Sequence, residues 1–255
     1  MPNDFRGLLW VLKLGAPVNL FLIAGLFSLG TPDPYAVVPA LVLLGVSFFR
    51  CLFPNRYLDN IVFHDIPVSS IFLTRCLATF SEVAYIYQFS YVIRVLNADS
   101  VMWVDALSWL MVVQVGLSQC FVWSAILTQR LRLYFFEEVG WWVIFFANTL
   151  ASAFLYFSVH TPPEGLLLLE LNLLFALGYL PWQVLHLRSL RKEFQAGSGI
   201  GVDWRTGLRE ALHDRQPRTD AASWGGWIGL TWMVAYWASL IPLWVYTVAD
   251  VLSAL

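Results

Sequence analysis

Long, continuous apolar stretches recur along most of the chain, separated by short polar or turn-forming segments. A helix needs roughly 20 mainly apolar residues to cross the hydrocarbon core of a bilayer, so each stretch predicts a membrane-spanning helix. Apolar and polar positions do not alternate within the stretches, which favours helices over barrel strands. The seven predicted spans cover residues 8–29, 35–53, 70–95, 103–127, 139–158, 165–187 and 227–251.

Composition supports this interpretation. Of the 255 residues, 59% are hydrophobic and 13% are charged, whereas soluble domains average about 45–50% and about 25%. So few charges cannot cover a soluble surface, and we expect a single all-α integral membrane domain over residues 1–255, surrounded by membrane lipids. The net charge of −2 provides no electrostatic footprint for nucleic acid, so no such partner is expected.

Basic residues predict the orientation of the bundle. With seven spans, 13 of the 15 Lys and Arg residues fall on the side of the N-terminus, while Arg94 alone lies on the other side and Arg75 lies within the third span. Basic loops stay in the cytoplasm. We therefore expect a cytoplasmic N-terminus and a C-terminus on the opposite side, in a bacterial inner membrane or an organelle membrane.

The long predicted cytoplasmic loop, residues 188–226, contains an amphipathic pattern of its own. Four apolar residues recur there at helical spacing, beside the basic residues Arg205 and Arg209. This pattern is typical of a helix that lies on the membrane surface with its basic groups near anionic head groups. The apolar positions are Trp204, Leu208, Ala211 and Leu212.

The third span carries two charged residues, Arg75 and Glu82. Ionisable groups inside a membrane are costly and often functional. Seven residues separate the two, which places them on one helix face about 10 Å apart along the axis. At that distance we expect no direct bond between them, so each would need a partner on another helix. Alternatively, Arg75 reaches the cytoplasmic surface and Glu82 is neutral or hydrogen-bonded.

Two further pairs are candidates for acid/base chemistry. His64 and Asp65 lie in the polar loop before the third span, where the carboxylate could orient the imidazole as a base; a solvated interfacial loop is the alternative. Glu137 and Glu138 precede the fifth span. Together with Glu82 they could perform acid/base work or hold a divalent cation, whereas simple stabilisation by the helix dipole is the alternative.

Polar and aromatic residues on the remaining spans indicate an interior cavity. They predict contacts with a bound apolar molecule, although polar contacts between helices would explain each of them equally. The predicted substrate-binding residues are Gln119, Trp123, Asn148, Tyr179, Gln183 and Tyr236. Neither a protein metal site nor a particular cofactor is predicted.

The favoured functional hypothesis is a membrane-embedded enzyme that acts on a lipid- or isoprenoid-type substrate. In this hypothesis Glu82 is a general acid, Glu137 or Asp65 is a base, and Arg75 holds an anionic head group. Two alternatives remain open. One is a transporter or proton pathway that uses Glu82 and Glu170, and the other is a non-catalytic subunit that binds a lipid or pigment.

Overall fold

The computed structural model describes residues 4–158, 161, 163–196 and 201–255. Within these residues the fold is dominated by helices, and residues 197–200 of the predicted cytoplasmic loop lie outside the described part. The helices are α1 Arg6–Leu12, α2 Gly15–Leu26, α3 Pro34–Leu52, α4 Ile71–Leu96, α5 Met102–Thr128, α6 Leu131–Tyr156, α7 Pro163–Ala196, α8 Trp204–His213, α9 Gly226–Met233 and α10 Leu240–Ala254.

Six helical segments in the described residues are long and apolar enough to cross a membrane, so the chain is a multi-pass helical membrane protein. They are Arg6–Phe27, Pro34–Leu52, Met102–Thr128, Leu131–Tyr156, Gly165–Lys192 and Gly226–Ala254. The predicted number of seven is not confirmed. The predicted third span is a helix, α4, of 26 residues, but three charged residues (Arg75, Glu82 and Arg94) lower its hydropathy.

The first of two compact units comprises residues 4–84 and 204–253. In it, α2 packs against α3. The loop after α3 forms a small sheet in which β1 (Asn55–Arg56) pairs antiparallel with β2 (Ile61–Val62), and β2 pairs parallel with β3 (Gln216–Pro217). Ile61 and Val62 are buried. The loop is therefore folded onto the first unit by its apolar residues and backbone hydrogen bonds.

The last predicted span is interrupted within the first unit. Between α9 and α10, residues Val234–Ala238 form a π-helical turn, called the π segment below. Pro242 explains the interruption, because proline has no N–H to donate to the carbonyl four residues earlier and its ring clashes with that carbonyl. Two side chains donate to the Trp237 main-chain carbonyl in the interior of the unit: Asn19 Nδ2 at 2.9 Å and Cys51 Sγ at 3.3 Å.

The second unit comprises residues 85–203 together with the C-terminal residues 254 and 255. Here α5 packs against α6 and α6 against α7. Only two residues join α5 to α6, and the first of them, Gln129, has a left-handed backbone with φ 53°. Gly140 permits close helix packing, because a Cβ at this position would collide with the side chains of Ser118 and Gln114 on α5.

Helix α6 corrects one sequence expectation. It begins at Leu131, eight residues before the predicted start of the fifth span, because the apolar and aromatic residues after Arg130 continue the helical packing. Glu137 and Glu138 consequently lie in the second turn of the helix rather than at its N-terminus. Stabilisation by the helix dipole, which acts mainly within the first turn, therefore does not explain two carboxylates at these positions.

The amphipathic helix predicted within the cytoplasmic loop is present as α8, Trp204–His213. Its Ala211 is buried, whereas Trp204 and Leu212 are exposed. This division leaves an apolar edge of the helix outside the protein core. The location of α8 on a membrane surface remains a prediction.

Candidate functional site

Arg75 and Glu82 form a direct, two-pronged ion pair on α4. Arg75 Nη1 donates to Glu82 Oε1 at 3.2 Å and Nη2 donates to Oε2 at 2.5 Å. The expectation that the two residues are too far apart for a direct bond was wrong. Side chains on a helix lean toward its N-terminus, so Glu82 reaches back toward Arg75, and the long arginine side chain covers the remaining distance.

A second arginine, Arg50 at the end of α3, lies next to this pair. Its guanidinium carbon is 5.3 Å from the centroid of the Tyr57 ring, and that of Arg75 is 5.4 Å from the same ring. The Arg50 guanidinium also lies 5.1 Å from the Trp237 ring. Tyr57 therefore contacts two cations, only one of which has a carboxylate partner in the described structure.

Asn55 fixes the position of Arg50 within this cluster. Its Oδ1 accepts a hydrogen bond from Arg50 Nη1, and its main-chain carbonyl accepts another from Nη2 at 3.1 Å. Asn55 Nδ2 donates to the Ser69 carbonyl at 3.1 Å and to Thr74 Oγ1 at 2.7 Å. The amide thus ties the Arg50 guanidinium to the start of α4, and we call Arg50, Asn55, Tyr57, Arg75 and Glu82 the arginine cluster.

Sequence reasoning missed two members of the arginine cluster that contact Arg50, namely Asn55 and Tyr57, and counted Arg50 only among the basic residues on the side of the N-terminus. The signal was the position of Arg50 among apolar residues that continue beyond it to Phe53. An arginine that ends an apolar helix and is followed by an asparagine five residues later can fold back instead of reaching water. The side chain is in fact buried, with 5% of the residue exposed.

His64 and Asp65 lie in the same loop but have different partners. His64 Nε2 is 2.6 Å from Lys13 Nζ, whereas Asp65 Oδ1 accepts a hydrogen bond from Arg215 Nε at 2.9 Å. The imidazole and the neighbouring carboxylate are therefore engaged with different cations. Burial, and secondarily the positive charge of Lys13, lower the pKa of His64, which favours the neutral form of the imidazole beside Lys13.

In the second unit Glu138 has two side-chain neighbours on α7. Gln183 Nε2 donates to Glu138 Oε2 at 2.6 Å and to the Glu138 carbonyl at 2.9 Å. His186 Nε2 lies 3.7 Å from Glu138 Oε1. The side chains of His186 and Glu138 are 26% and 22% exposed, so this group, which we call the Glu138–His186 pair, is accessible from outside the unit.

The other acidic candidate of the second unit, Glu137, is buried on α6. Its main-chain carbonyl accepts a hydrogen bond from Ser118 Oγ on α5 at 3.4 Å. Glu137 therefore lies where α6 packs against α5, while Glu138 contacts α7. Glu82 belongs to the first unit, and its predicted combination with these two carboxylates stays a prediction.

The predicted substrate-binding residues occupy different environments. Tyr236 is buried in the first unit, 4.3 Å from the Trp237 ring. Gln119 is buried and Trp123 is half-buried on α5. Asn148 Oδ1 accepts a long hydrogen bond from Asn172 Nδ2 at 3.5 Å. The structure thus places Tyr236 in one unit and the other five residues in the second.

Aromatic rings extend from the Glu138–His186 pair along α7. The Trp182 ring stacks on His186 with centroids 5.1 Å apart, and Tyr179 lies 6.0 Å from Trp182. Tyr179 in turn packs against Phe145 at 4.6 Å. The histidine therefore lies at the end of a row of aromatic rings in which Tyr179 and Phe145 are buried.

The first unit also contains an apolar groove of about 230 Å³. It is formed by α1, α2, α9 and the π segment, and its lining includes Leu12, Gly15, Val18, Leu230 and Ala238. Across the described ranges, no group of three or more His, Cys, Asp or Glu side chains is arranged to hold a metal ion.

Comparison with known proteins gives no further assignment. The chain matches no protein-family model, no curated protein and no solved structure.

Proposed function

We propose that this multi-pass membrane protein is an enzyme that acts on an apolar, lipid- or isoprenoid-type substrate by acid/base chemistry at Glu138 and His186. The proposal depends mainly on one observation. A carboxylate and an imidazole lie 3.7 Å apart at a partly exposed point of an apolar helical unit.

The arrangement suits proton transfer. Gln183 holds one oxygen of the Glu138 carboxylate, which leaves the other oxygen directed toward His186. A carboxylate beside an imidazole orients the ring and stabilises its protonated form. The separation is longer than a hydrogen bond, but such catalytic contacts commonly shorten only when substrate is bound. His186 would exchange a proton with the substrate, and Glu138 would stabilise the imidazolium ion.

The aromatic ring stacked on His186 supports an apolar substrate. The half-buried Trp182 provides a flat apolar face beside the imidazole, and the buried Tyr179 lies next to Trp182. Aromatic faces bury apolar surface and also attract cations. A hydrocarbon chain, or a cationic intermediate formed along it, would be stabilised there.

In this proposal the remaining candidate residues have supporting roles. Glu82 uses both carboxylate oxygens to bind Arg75, so we assign it the positioning of Arg75 rather than donation of a proton. Glu137 provides a second, buried carboxylate beside Glu138. His64 and Asp65 connect the loop to Lys13 and Arg215.

Lipid analysis of cells that express the protein tests the proposal. We expect wild-type protein to change the amount of at least one lipid or isoprenoid species, and Glu138→Gln and His186→Gln to abolish that change while keeping normal thermal stability in detergent. Glu170→Gln is the matched control, because Glu170 is an exposed carboxylate on α7 that contacts Tyr156.

The outcomes discriminate among the three functions. An unchanged lipid profile with wild-type protein, or equal activity in the Glu138→Gln variant, would refute the enzyme proposal. Flux across protein-containing liposomes would instead favour the transporter. A co-purifying lipid or pigment that neither variant loses would favour the non-catalytic subunit.

A further inference from the structure

We infer that the first unit contains a binding site for an anionic group, a phosphate or a carboxylate, at the Arg50 guanidinium. This site is distinct from the Glu138–His186 pair and does not depend on the function proposed for that pair. The residues of the arginine cluster form this site.

The first argument is the charge of the arginine cluster. It holds two guanidinium groups and one carboxylate, and the carboxylate is bound to Arg75 through both oxygens. No Asp or Glu in the described residues forms an ion pair with Arg50. A buried charge is very costly unless an opposite charge or a full set of hydrogen bonds compensates it. The buried Arg50 guanidinium therefore has no carboxylate partner of its own in the described structure.

The second argument is an unused hydrogen-bond donor. Arg50 Nη1 and Nη2 donate to Asn55, but the buried Nε atom has no hydrogen-bond partner in the described structure. Nε and a neighbouring Nη form the planar edge with which arginine binds carboxylate and phosphate groups through two parallel bonds. An anion at this edge would satisfy the donor and neutralise the guanidinium charge.

The aromatic neighbours hold the guanidinium without replacing an anion. Trp237 and Tyr57 lie 5.1 and 5.3 Å from its carbon atom. Cation–π attraction offsets part of the cost of burial, but an aromatic ring gives the Nε–H group no strong acceptor. Tyr57 is only half-buried, so we place the approach of the anion on the side of this ring.

The neighbouring groove favours an anion that carries a hydrocarbon chain. The π segment provides both Trp237, which packs on Arg50, and Ala238, which lines the apolar groove. A molecule with its anionic head at Arg50 could place its chain in this groove. A soluble anion could use the same head-group site, and the experiment below distinguishes these two sources.

Calorimetric titration of the purified full-length protein in detergent tests the inference. The probes are inorganic phosphate, acetate, and dihexanoyl phosphatidate, a short-chain lipid with a phosphate head group. We expect saturable binding of at least one probe, and we expect Arg50→Gln to weaken it about tenfold or more, the effect of losing a charge-assisted hydrogen bond. Arg50→Lys keeps the charge but lacks the planar edge, so it should also weaken binding.

Arg215→Gln is the matched control, because Arg215 is a cation of the same unit that already has a carboxylate partner in Asp65. Binding of phosphate or acetate identifies the site as one for free anions, whereas binding of phosphatidate alone identifies a lipid head group. Absence of binding of all three probes to wild-type protein would overturn the inference. Equal loss of affinity in Arg50→Lys and Arg215→Gln would also overturn it. Because this comparison does not use Arg50→Gln, the test stays valid if that variant does not fold.

Discussion

Replacement of Glu82 with glutamine would remove the carboxylate that accepts two hydrogen bonds from the buried Arg75 guanidinium. The side chains of Arg75 and Glu82 are 1% and 9% exposed, so water screens this pair very little. Removal of one partner from a buried ion pair typically costs about 3–5 kcal/mol, because the remaining charge stays uncompensated. We therefore expect Glu82→Gln to lower the free energy of unfolding by that amount.

Titration with a denaturing detergent in mixed micelles measures this change. Asp65→Asn is the control, since it breaks the Asp65–Arg215 pair, in which the Asp65 side chain is 58% exposed, and exposed pairs contribute about 0–1 kcal/mol. The double variant Arg75→Met/Glu82→Leu should recover most of the lost stability, because apolar residues can replace a buried ion pair at little cost. A loss of less than about 1 kcal/mol in Glu82→Gln would refute this reasoning.

Three further predictions concern packing, pH and topology. Gly15→Ala should destabilise the protein by about 1–3 kcal/mol, because the new Cβ would lie 2.6 Å from Ala238 Cβ. Gly45→Ala, where the Cβ meets open space, should be neutral or stabilising in the same detergent titration; equal losses would contradict the packing argument. The lowered pKa of His64 means that the unfolded chain binds this proton more tightly than the folded protein. The His64–Lys13 contact should therefore stabilise the folded protein fully above pH 6.5, the ordinary histidine pKa, and progressively less as the pH falls. Thermal unfolding scans at several pH values should show this decrease in wild type but not in His64→Gln. Parallel plots of unfolding temperature against pH for the two proteins would exclude the effect. Finally, if α4 is a seventh span, reporters fused to the two termini should lie on opposite sides of the membrane, whereas reporters on the same side would show that it is not.

Apolar stretches predicted the membrane class and six of the spans well, because a continuous hydrophobic run is a local property of the sequence. Local sequence patterns predicted the interruptions within these helices less well. Pro242 lies within a run that otherwise predicts one uninterrupted helix, and the Trp237 carbonyl of the π segment accepts hydrogen bonds from Asn19 and Cys51. Those residues are more than 180 positions away in the chain, so sequence spacing does not indicate their proximity.

The candidate site was predictable in its residue types but not in its partners. Helical spacing placed Arg75 and Glu82 on one face, but it did not account for the reach and direction of the two side chains. Glu138 was a candidate from its position near a membrane span. Its association with Gln183 and His186 depends on how α6 and α7 pack, which no local pattern determines.

The chain order of the first unit has a consequence for synthesis. Its parts are residues 4–84 and 204–253, so the ribosome produces the whole of α5, α6 and α7 between them. In the second unit, by contrast, α5 packs on α6 and α6 packs on α7, so each new helix can pack on the one made just before it. Until the π segment has been made, Asn19 and Cys51 lack their shared acceptor and Arg50 lacks the Trp237 ring. The first unit therefore gains these contacts only after α5, α6 and α7 have been synthesised.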